Sequence, residues 1–153
     1  MNLQSIISTI DSHTVGEPTR TIISGIPKIP GNTMTEKQRF FRENLDSIRT
    51  TLMMEPRGHP DLVGAVMTEP VSANSHFGVL FMDAAGYEAM CGHGTIGIIT
   101  TLIETGQIQA NKPITQINVD TPIGTINAQA QVADDGSVVQ VSFCSAPSFV
   151  YQS

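Results

Sequence analysis

The segment Met90-Cys91-Gly92-His93-Gly94-Thr95 combines a thiol, an imidazole and two glycines within six residues. A very apolar stretch follows it, so we expect Cys91 at the N-terminal edge of a buried helix. Unpaired backbone N–H groups and the positive end of the helix dipole would favour the thiolate there, and a thiol acidified toward neutrality can take and return a proton. Gly92 and Gly94 let the backbone approach a ligand closely, so the same N–H groups could hold a carboxylate. The segment predicts one turn that supplies both a base and an anion site.

The alternative interpretation of this segment is structural. Cys91 could be a small buried hydrophobe, and the two glycines could simply shape a turn. The occurrence of three special residue types together at a helix start favours the catalytic interpretation.

Two further polar segments allow both a structural and a functional interpretation. In the loop Asp11-Ser12-His13-Thr14-Val15-Gly16-Glu17-Pro18-Thr19-Arg20, the first two residues can form a turn. Glu17 and Arg20 can form a solvated ion pair worth under about 1 kcal/mol. The segment Glu55-Pro56-Arg57-Gly58-His59-Pro60-Asp61 is either a rigid charged loop or the wall of a pocket.

The second cysteine lies in a different setting. Cys144 follows a predicted strand and has neither glycine nor histidine beside it, so we interpret it as structural. The two cysteines lie 53 positions apart, which is not a metal-binding spacing, and two are too few for a disulfide framework. His76 has no chemical companions and is expected to be a surface or turn histidine.

The apolar pattern and the turn residues predict the elements that must position these groups. Strands are expected at 3–10, 19–23, 62–68, 77–82, 114–119, 124–132 and 137–143, with a hairpin turn at Asp134-Asp135-Gly136. An amphipathic surface helix should run from a cap at Thr33 or Thr35 to about Met54, and an apolar helix should span residues 95–108.

The second of these helices decides the architecture. It lacks a polar face and must be buried on all sides. A flat sheet could not cover it, so we expect an α+β fold in which a strongly curved, mostly antiparallel sheet forms a closed or nearly closed barrel around the central helix.

Size and charge limit the classes of function. The chain has 153 residues and a net charge of −6, which fits one globular domain and gives no basic surface for nucleic acid. No run of about 18 apolar residues and no basic leader with an apolar core is visible. We therefore expect a soluble, cytoplasmic protein without a membrane or nucleic-acid partner.

Several separated blocks resemble the proline racemase family, which includes proline racemase, 4-hydroxyproline 2-epimerase and trans-3-hydroxy-L-proline dehydratase. The resemblance extends over essentially the whole chain. Its blocks are Met90 to Gly97, Asp11 to Arg20, Glu55 to His59, and Val141-Ser142-Phe143 with Pro147-Ser148-Phe149.

The resemblance implies a cofactor-independent transfer of a proton at the Cα of a cyclic amino acid by two cysteines on opposite faces of the substrate. Cys91 would be the first cysteine. Gly92, His93 and Gly94 would bind the substrate, with backbone N–H groups of the first two on its carboxylate and His93 also beside its ring nitrogen. The implied fold is similar to that of diaminopimelate epimerase, in which two related domains each wrap a barrel around a helix.

Family members are about twice as long as this chain, and their second cysteine belongs to the other half. Residues 1–153 would therefore be the N-terminal domain of a two-domain racemase or epimerase. Its partner would be the missing C-terminal domain or a second copy of the chain. Val63 stands where proline racemases resemble one another in having a bulky Phe and 4-hydroxyproline epimerases a smaller residue, so both substrates remain open. Half of a dehydratase, or a non-catalytic domain that binds a small carboxylate, are the alternatives.

Overall fold

A computed structural model of the chain describes residues 5–145. Leu3, within the first predicted strand, and Pro147-Ser148-Phe149, within the last family block, lie outside the described residues. The elements in chain order are β1 (Ser8–Thr14), β2 (Glu17–Ser24), α1 (Met34–Asn44), α2 (Asp46–Met53), β3 (Val63–Thr68), β4 (Phe77–Met82), β5 (Tyr87–Glu88), α3 (Gly92–Glu104), β6 (Ile114–Thr121), β7 (Gly124–Val132) and β8 (Val138–Phe143).

One sheet contains all of the strands. Its order is β1-β2-β3-β4-β6-β7-β8, and the short β5 pairs with β4 beside this path. The pairs β2–β3 and β4–β6 are parallel, and the other five pairs are antiparallel. The two edge strands β1 and β8 both contact α3, so the sheet curls around this helix as a half-barrel. The predicted α+β architecture, a curved and mostly antiparallel sheet around a buried helix, is confirmed.

The central helix α3 is apolar and enclosed, as expected. Its residues Ile98, Ile99 and Leu102 are fully buried in a core shared with β4, β6 and β7. The helix begins at Gly92 instead of residue 95 and ends at Glu104 instead of residue 108. Within the described part of the chain, no helix is both long and apolar enough to cross a membrane.

The opposite face of the sheet carries a second core under α1 and α2. Phe41 and Met53 from these helices pack there with Leu80 and Met82 of β4. Phe81, between these two β4 residues in the chain, belongs to the α3 core. Side chains alternate across a strand, so β4 is buried on both faces and the domain has three layers.

The single surface helix predicted up to about Met54 is wrong in one respect, because it divides at Leu45. The predicted start is confirmed: the Thr33 side chain caps α1 by accepting from the Glu36 N–H, at 3.1 Å. Leu45 leaves the helical region, with φ −127° and ψ 14°, and α2 restarts at Asp46. The apolar spacing continues through the break, so periodicity alone does not reveal it.

The first strand also differs from the expectation. It runs from Ser8 to Thr14, and Asp11, Ser12 and His13 lie inside it, where we expected a break. These three residues pair across to Arg20, Thr19 and Pro18 of β2. The chain reverses one step later at Val15-Gly16, where both residues have positive φ, 52° and 99°, as a two-residue hairpin turn of type I′ requires.

A buried carboxylate that the sequence did not single out connects two distant parts of the sheet. Asp120 on β6 is 1% exposed and accepts from the backbone N–H groups of Val71 and Ser72 and from the hydroxyls of Ser75 and Thr125, at 2.7–2.8 Å. Burial by itself would raise the pKa of Asp120, but these four donors bring it to about 2. The carboxylate therefore stays charged and fixes the loop before β4.

Candidate active site

Cys91 is the N-cap residue of α3. Its backbone is extended, with φ −134° and ψ 121°, and its carbonyl oxygen accepts from the Thr95 N–H at 3.0 Å and the Thr95 hydroxyl at 2.7 Å. The side chain is partly buried against the α3 core. First-turn amides of a helix have no intrahelical acceptor, so donors from Gly92, His93 and Gly94 are available beside the sulfur. The predicted meeting of a thiol and a helix start is present.

The imidazole of His93 lies against this sulfur. Its Nδ1 is 3.5 Å and its Nε2 4.0 Å from the Cys91 Sγ. The Thr14 hydroxyl, at the end of β1, donates to the His93 carbonyl oxygen at 3.2 Å. The end of the first strand thus helps to fix the first turn of α3.

The pKa of the Cys91 thiol is raised, contrary to the acidified thiol expected from the sequence. Burial is the main cause, and the charges of Glu88, Asp83 and Glu17 add to it. The Gly94 N–H lowers the pKa in opposition, although the sulfur makes no capping hydrogen bond of ordinary geometry. Burial and negative charge outweigh the helix start, so Cys91 in this chain is a protonated thiol at neutral pH.

Gly92 and Gly94 differ in their surroundings. A Cβ on Gly94 would lie 2.8 Å from the Phe81 ring and 3.2 Å from the Cys91 sulfur, so no larger residue fits without displacing the helix from β4. A Cβ on Gly92 would meet only the Phe143 ring, at 3.8 Å. Gly94 is thus required by packing, whereas the backbone at Gly92 is open to a ligand.

Val63 begins β3 and pairs with Thr19 of β2. Its side chain is partly buried and packs against the same α3 core as Cys91. Val63, which is predicted to contact the ring of the substrate, and Cys91 therefore lie on the same side of the sheet.

Arg20 makes a four-bond clamp that replaces the expected solvated pair with Glu17. Its Nε and Nη2 donate to the two carboxylate oxygens of Asp11, both at 2.8 Å. Its Nη1 donates to the carbonyl oxygens of Leu52 at 2.8 Å and Arg57 at 2.7 Å. This Arg20 clamp, formed by Arg20, Asp11 and the two carbonyls, fastens the segment 55–61 to the first hairpin. Both interpretations of that segment find support, because Arg20 holds the Arg57 carbonyl and Arg57 also lines a cavity with Thr9 and Arg20.

A second clamp with the same bonding pattern was not anticipated from the sequence. Arg49 Nε and Nη2 donate to the two oxygens of Asp46, at 2.7 and 3.0 Å. Its Nη1 donates to the carbonyl oxygens of Asp83 at 3.1 Å and Ala84 at 2.9 Å. We call Arg49, Asp46 and these carbonyls the Arg49 clamp. The three-residue spacing of the Asp and Arg on α2 was the available signal, but it does not indicate the carbonyl partners.

The remaining candidates lie outside this site. Cys144 is exposed just after β8, and its N–H donates to the Asn127 carbonyl oxygen at 3.4 Å. His76 is an exposed residue whose Nδ1 accepts from the Asn118 N–H, in line with the expected surface role. His13 accepts from the Gly16 N–H in the hairpin turn. Among residues 5–145 there is no group of three or more His, Cys, Asp or Glu side chains that could hold a metal ion.

Comparison with known proteins gives a consistent result. The model of the family described as proline racemase matches residues 9–153. A proline racemase from Clostridioides difficile is 48% identical over 152 residues, which are 99% of this chain and 45% of that protein. A trans-3-hydroxy-L-proline dehydratase from Azospirillum brasilense is 42% identical over 153 residues, covering 99% of this chain and 45% of the relative. The chain spans less than half the length of the curated relatives it matches.

A solved structure shares the fold. The hydroxyproline epimerase from Agrobacterium vitis, with bound trans-4-OH-L-proline, superimposes with a TM-score of 0.86 at 26% identity. The match covers 94% of this chain and 42% of the epimerase. The diaminopimelate epimerase-like fold expected from the sequence is thereby confirmed.

Proposed function

This chain belongs to the proline racemase family, and from that premise we propose that it supplies one wall of a cofactor-independent amino-acid racemase or epimerase, an isomerase acting at the Cα of proline or 4-hydroxyproline. The observation that carries the proposal is the position of Cys91. Its thiol lies at the N-cap of α3, beside open backbone amides and 3.5 Å from an imidazole nitrogen.

Cys91 acts in this proposal as the general acid in one direction and the base in the other. In the forward step the Cys91 S–H bond breaks and its proton forms a new bond to Cα, while a base on the opposite face takes the original α-proton. The cysteine is then a thiolate, ready to run the reverse step. A thiol that is neutral in the resting chain suits the donor role, because a donor must hold its proton until the carbanion forms.

The first turn of α3 binds the substrate carboxylate. The N–H groups of Gly92 and His93 lie at the positive end of the helix dipole, and Gly94 brings the turn close to the sulfur. Donors held on the carboxylate also stabilise the charge that spreads onto it as the α-proton leaves. Substrate binding and stabilisation of the carbanion thus use the same turn.

The second acid/base group comes from outside this chain. Among residues 5–145 the other cysteine is Cys144, which is exposed and belongs to no helix start. The partner is either a C-terminal domain that completes residues 1–153 or a second copy of the chain. The expected cytoplasmic location suits a small amino-acid substrate.

Val63 is proposed to separate proline from its hydroxylated relatives. A side chain of this size leaves room for a ring hydroxyl that a Phe would fill, so both proline and 4-hydroxyproline are candidate substrates. The 42% identity to a trans-3-hydroxy-L-proline dehydratase supports a second candidate, in which the same half-site serves the loss of water.

The test joins this chain to the C-terminal half of the C. difficile relative and follows Cα deuterium exchange in D₂O by proton NMR. Both enantiomers of proline and 4-hydroxyproline are used, with trans-3-hydroxy-L-proline included to detect loss of water. Cys91→Ser should reduce exchange by at least about 100-fold, the range for a lost general acid. The matched variant Cys144→Ser should retain exchange within about twofold. Exchange that persists in Cys91→Ser contradicts the proposal.

A binding experiment separates the catalytic from the non-catalytic interpretation. Pyrrole-2-carboxylate is planar, like the carbanion, and should bind the joined protein much more tightly than the 153-residue chain alone. Equal affinities, together with no exchange in the joined protein, would favour a domain that only binds small carboxylates.

A further inference from the structure

The hairpin that joins β4 to β5 is held by side chains from the helix layer. Arg49 donates to the carbonyl oxygens of Asp83 and Ala84, and the Tyr87 hydroxyl donates to Asp46 at 2.7 Å. The Gln38 side-chain amide donates to the Glu88 carbonyl oxygen at 3.0 Å. Helices α1 and α2 therefore hold the hairpin at both of its ends.

The turn within this hairpin is closed by its own residues. The Asp83 carboxylate accepts from the N–H groups of Ala85 at 2.8 Å and Gly86 at 2.6 Å, and the Asp83 N–H donates to the Gly86 carbonyl oxygen. Residues 83–88 thus form a stiff unit, and its position relative to α2 depends on the Arg49 clamp.

The same hairpin leads directly to the candidate acid. Only Ala89 and Met90 separate Glu88 from Cys91. Asp83 and Glu88 are also two of the three carboxylates whose charge acts on the thiol, and the third is Glu17 on β2. Among the described residues, the titratable side chain that lies against the sulfur itself is His93 on α3. A shift of the hairpin would change both the burial of the sulfur and the charge around it.

Resting on the proposed acid/base role of Cys91, we propose that Arg49 is a positioning residue that acts through the hairpin 83–88 and sets the place of the Cys91 sulfur. The Arg49 hydrogen bonds go to Asp46, Asp83 and Ala84, and none of them reaches the Cys91 sulfur or the residues proposed to bind the substrate. The planar Arg49 fork reaches two carboxylate oxygens and two carbonyl oxygens at once, which an ammonium group cannot do.

The surroundings of Arg49 fix the fork. The guanidinium carbon lies 5.7 Å from the centre of the Tyr87 ring, and that of Arg42 lies 5.1 Å from the same ring. The Tyr87 ring also meets Phe41 edge-on, with ring centres 6.1 Å apart. Arg42 carries the same charge as Arg49 and lies near the same Tyr87 ring. Among the described residues, however, it makes no hydrogen bond to the hairpin, whose carbonyl oxygens accept from Arg49.

The test measures alkylation of Cys91 by iodoacetamide as a function of pH in the 153-residue chain, with Cys144 as the internal reference. In this reaction the thiolate sulfur forms a bond to carbon and iodide leaves, so the rate follows the fraction of thiolate. Mass spectrometry of the two cysteine peptides gives both rates from one sample. Arg49→Met and Arg49→Lys are the test variants, and Arg42→Met is the control.

Loss of the clamp should expose the sulfur to water and move its carboxylate neighbours away. Alkylation of Cys91 in both Arg49 variants should then be about 3- to 10-fold faster at pH 7.5, as expected for a pKa lower by half to one unit. Its pH midpoint should fall, whereas Cys144 should change by less than about twofold. Tyr87→Phe removes a single hydroxyl and should shift the midpoint in the same direction by less.

Three outcomes would overturn the proposal. They are a Cys91 midpoint that is unchanged in Arg49→Met, one that shifts as much in Arg42→Met, and one that Arg49→Lys restores to that of the parent. The last would mean that charge matters and the fork does not. Alkylation needs no turnover, so these results are independent of whether Cys91→Ser abolishes proton exchange in the joined protein.

Discussion

The Arg20 clamp and the Arg49 clamp consist of the same four donor bonds, yet they connect different numbers of chain segments. Arg20 on β2 binds Asp11 on β1 and two carbonyls at the end of α2 and beyond it, so it unites three segments. Arg49 and Asp46 are three residues apart on one helix, so that clamp unites two. The same set of hydrogen bonds thus holds three chain segments together at Arg20 and holds the hairpin 83–88 against α2 at Arg49.

The partners of the two carboxylates also differ. Within residues 5–145, the hydrogen bonds to the Asp11 carboxylate come from the Arg20 fork, and the Asp11 side chain is 55% exposed. Asp46 is 39% exposed and also receives the Tyr87 hydroxyl. Burial and the bond to Asp46 raise the pKa of Tyr87, so its hydroxyl remains a donor at all ordinary pH values. The Arg49 clamp therefore has an additional support that the Arg20 clamp lacks.

The largest expected difference is in global stability. Arg20→Met should lower the free energy of unfolding by about 3 kcal/mol, because bonds to a charged group and two carbonyls across three segments are lost. Arg49→Met should cost about half as much, since Asp46 and its neighbours stay together on one helix. Urea unfolding followed by circular dichroism measures both values. If Arg49→Met lowers the free energy of unfolding as much as Arg20→Met or more, the two clamps do not differ in their contribution to global stability.

The Tyr87 hydroxyl allows a finer test of the Arg49 clamp. Tyr87→Phe should lower the free energy of unfolding by about 1 kcal/mol, the usual value for one hydrogen bond, while the ring keeps its contacts with Phe41 and Arg49. The pKa of Asp46 should rise, because one of the donors that lower it is gone. Titration of the Asp46 carboxyl by carbon NMR measures this rise, and Asp11 in the same spectra serves as the control. A shift at Asp11 of the same size would contradict a local effect.

The smallest expected effect is on the pH dependence of the free energy of unfolding below neutral pH. The Arg20 hydrogen bond lowers the pKa of Asp11, and the Arg49 hydrogen bond lowers that of Asp46. A carboxyl with a lowered folded-state pKa stabilises the protein above its unfolded value near 4 and loses this contribution as the pH falls through the folded value.

Asp11→Asn and Asp46→Asn should each be less stable than the parent at pH 7, by under about 1 kcal/mol because both groups are partly exposed. The difference from the parent should shrink as the pH falls below about 4. Chemical unfolding at pH 7, 5, 4 and 3 measures the trend, and Asp46→Asn should show the larger difference because it also affects Tyr87. A difference that grows toward acid would have the wrong sign for a stabilising carboxylate.

The sequence predicted those elements whose pattern is local. Strands β3 and β4 and the three C-terminal strands were found within a few residues, because proline, glycine and asparagine bracket apolar runs of strand length. The burial of α3 followed from its lack of a polar face, and the curled sheet followed from that burial.

The failures share a different cause. The direction of the Cys91 pKa depends on burial and on charges carried by other elements, and the strand conformation of Asp11 to His13 depends on pairing with β2. Glu17 and Asp83 act on the Cys91 thiol from 74 and 8 positions away in the chain. The Arg49 clamp was missed for the same reason, since its two carbonyl acceptors lie more than 30 residues beyond Arg49.

The two-sided burial of β4 limits how this domain can change. An altered side chain at Phe81 disturbs the seat of Gly94 and the first turn of α3, whereas one at Leu80 disturbs the helices on the opposite side. Every position of the strand therefore borders one interior or the other, and a substitution in β4 disturbs the layer that its side chain faces. Substitutions meant to alter the candidate site should therefore leave Phe81 unchanged, because its ring packs against Gly94 in the first turn of α3.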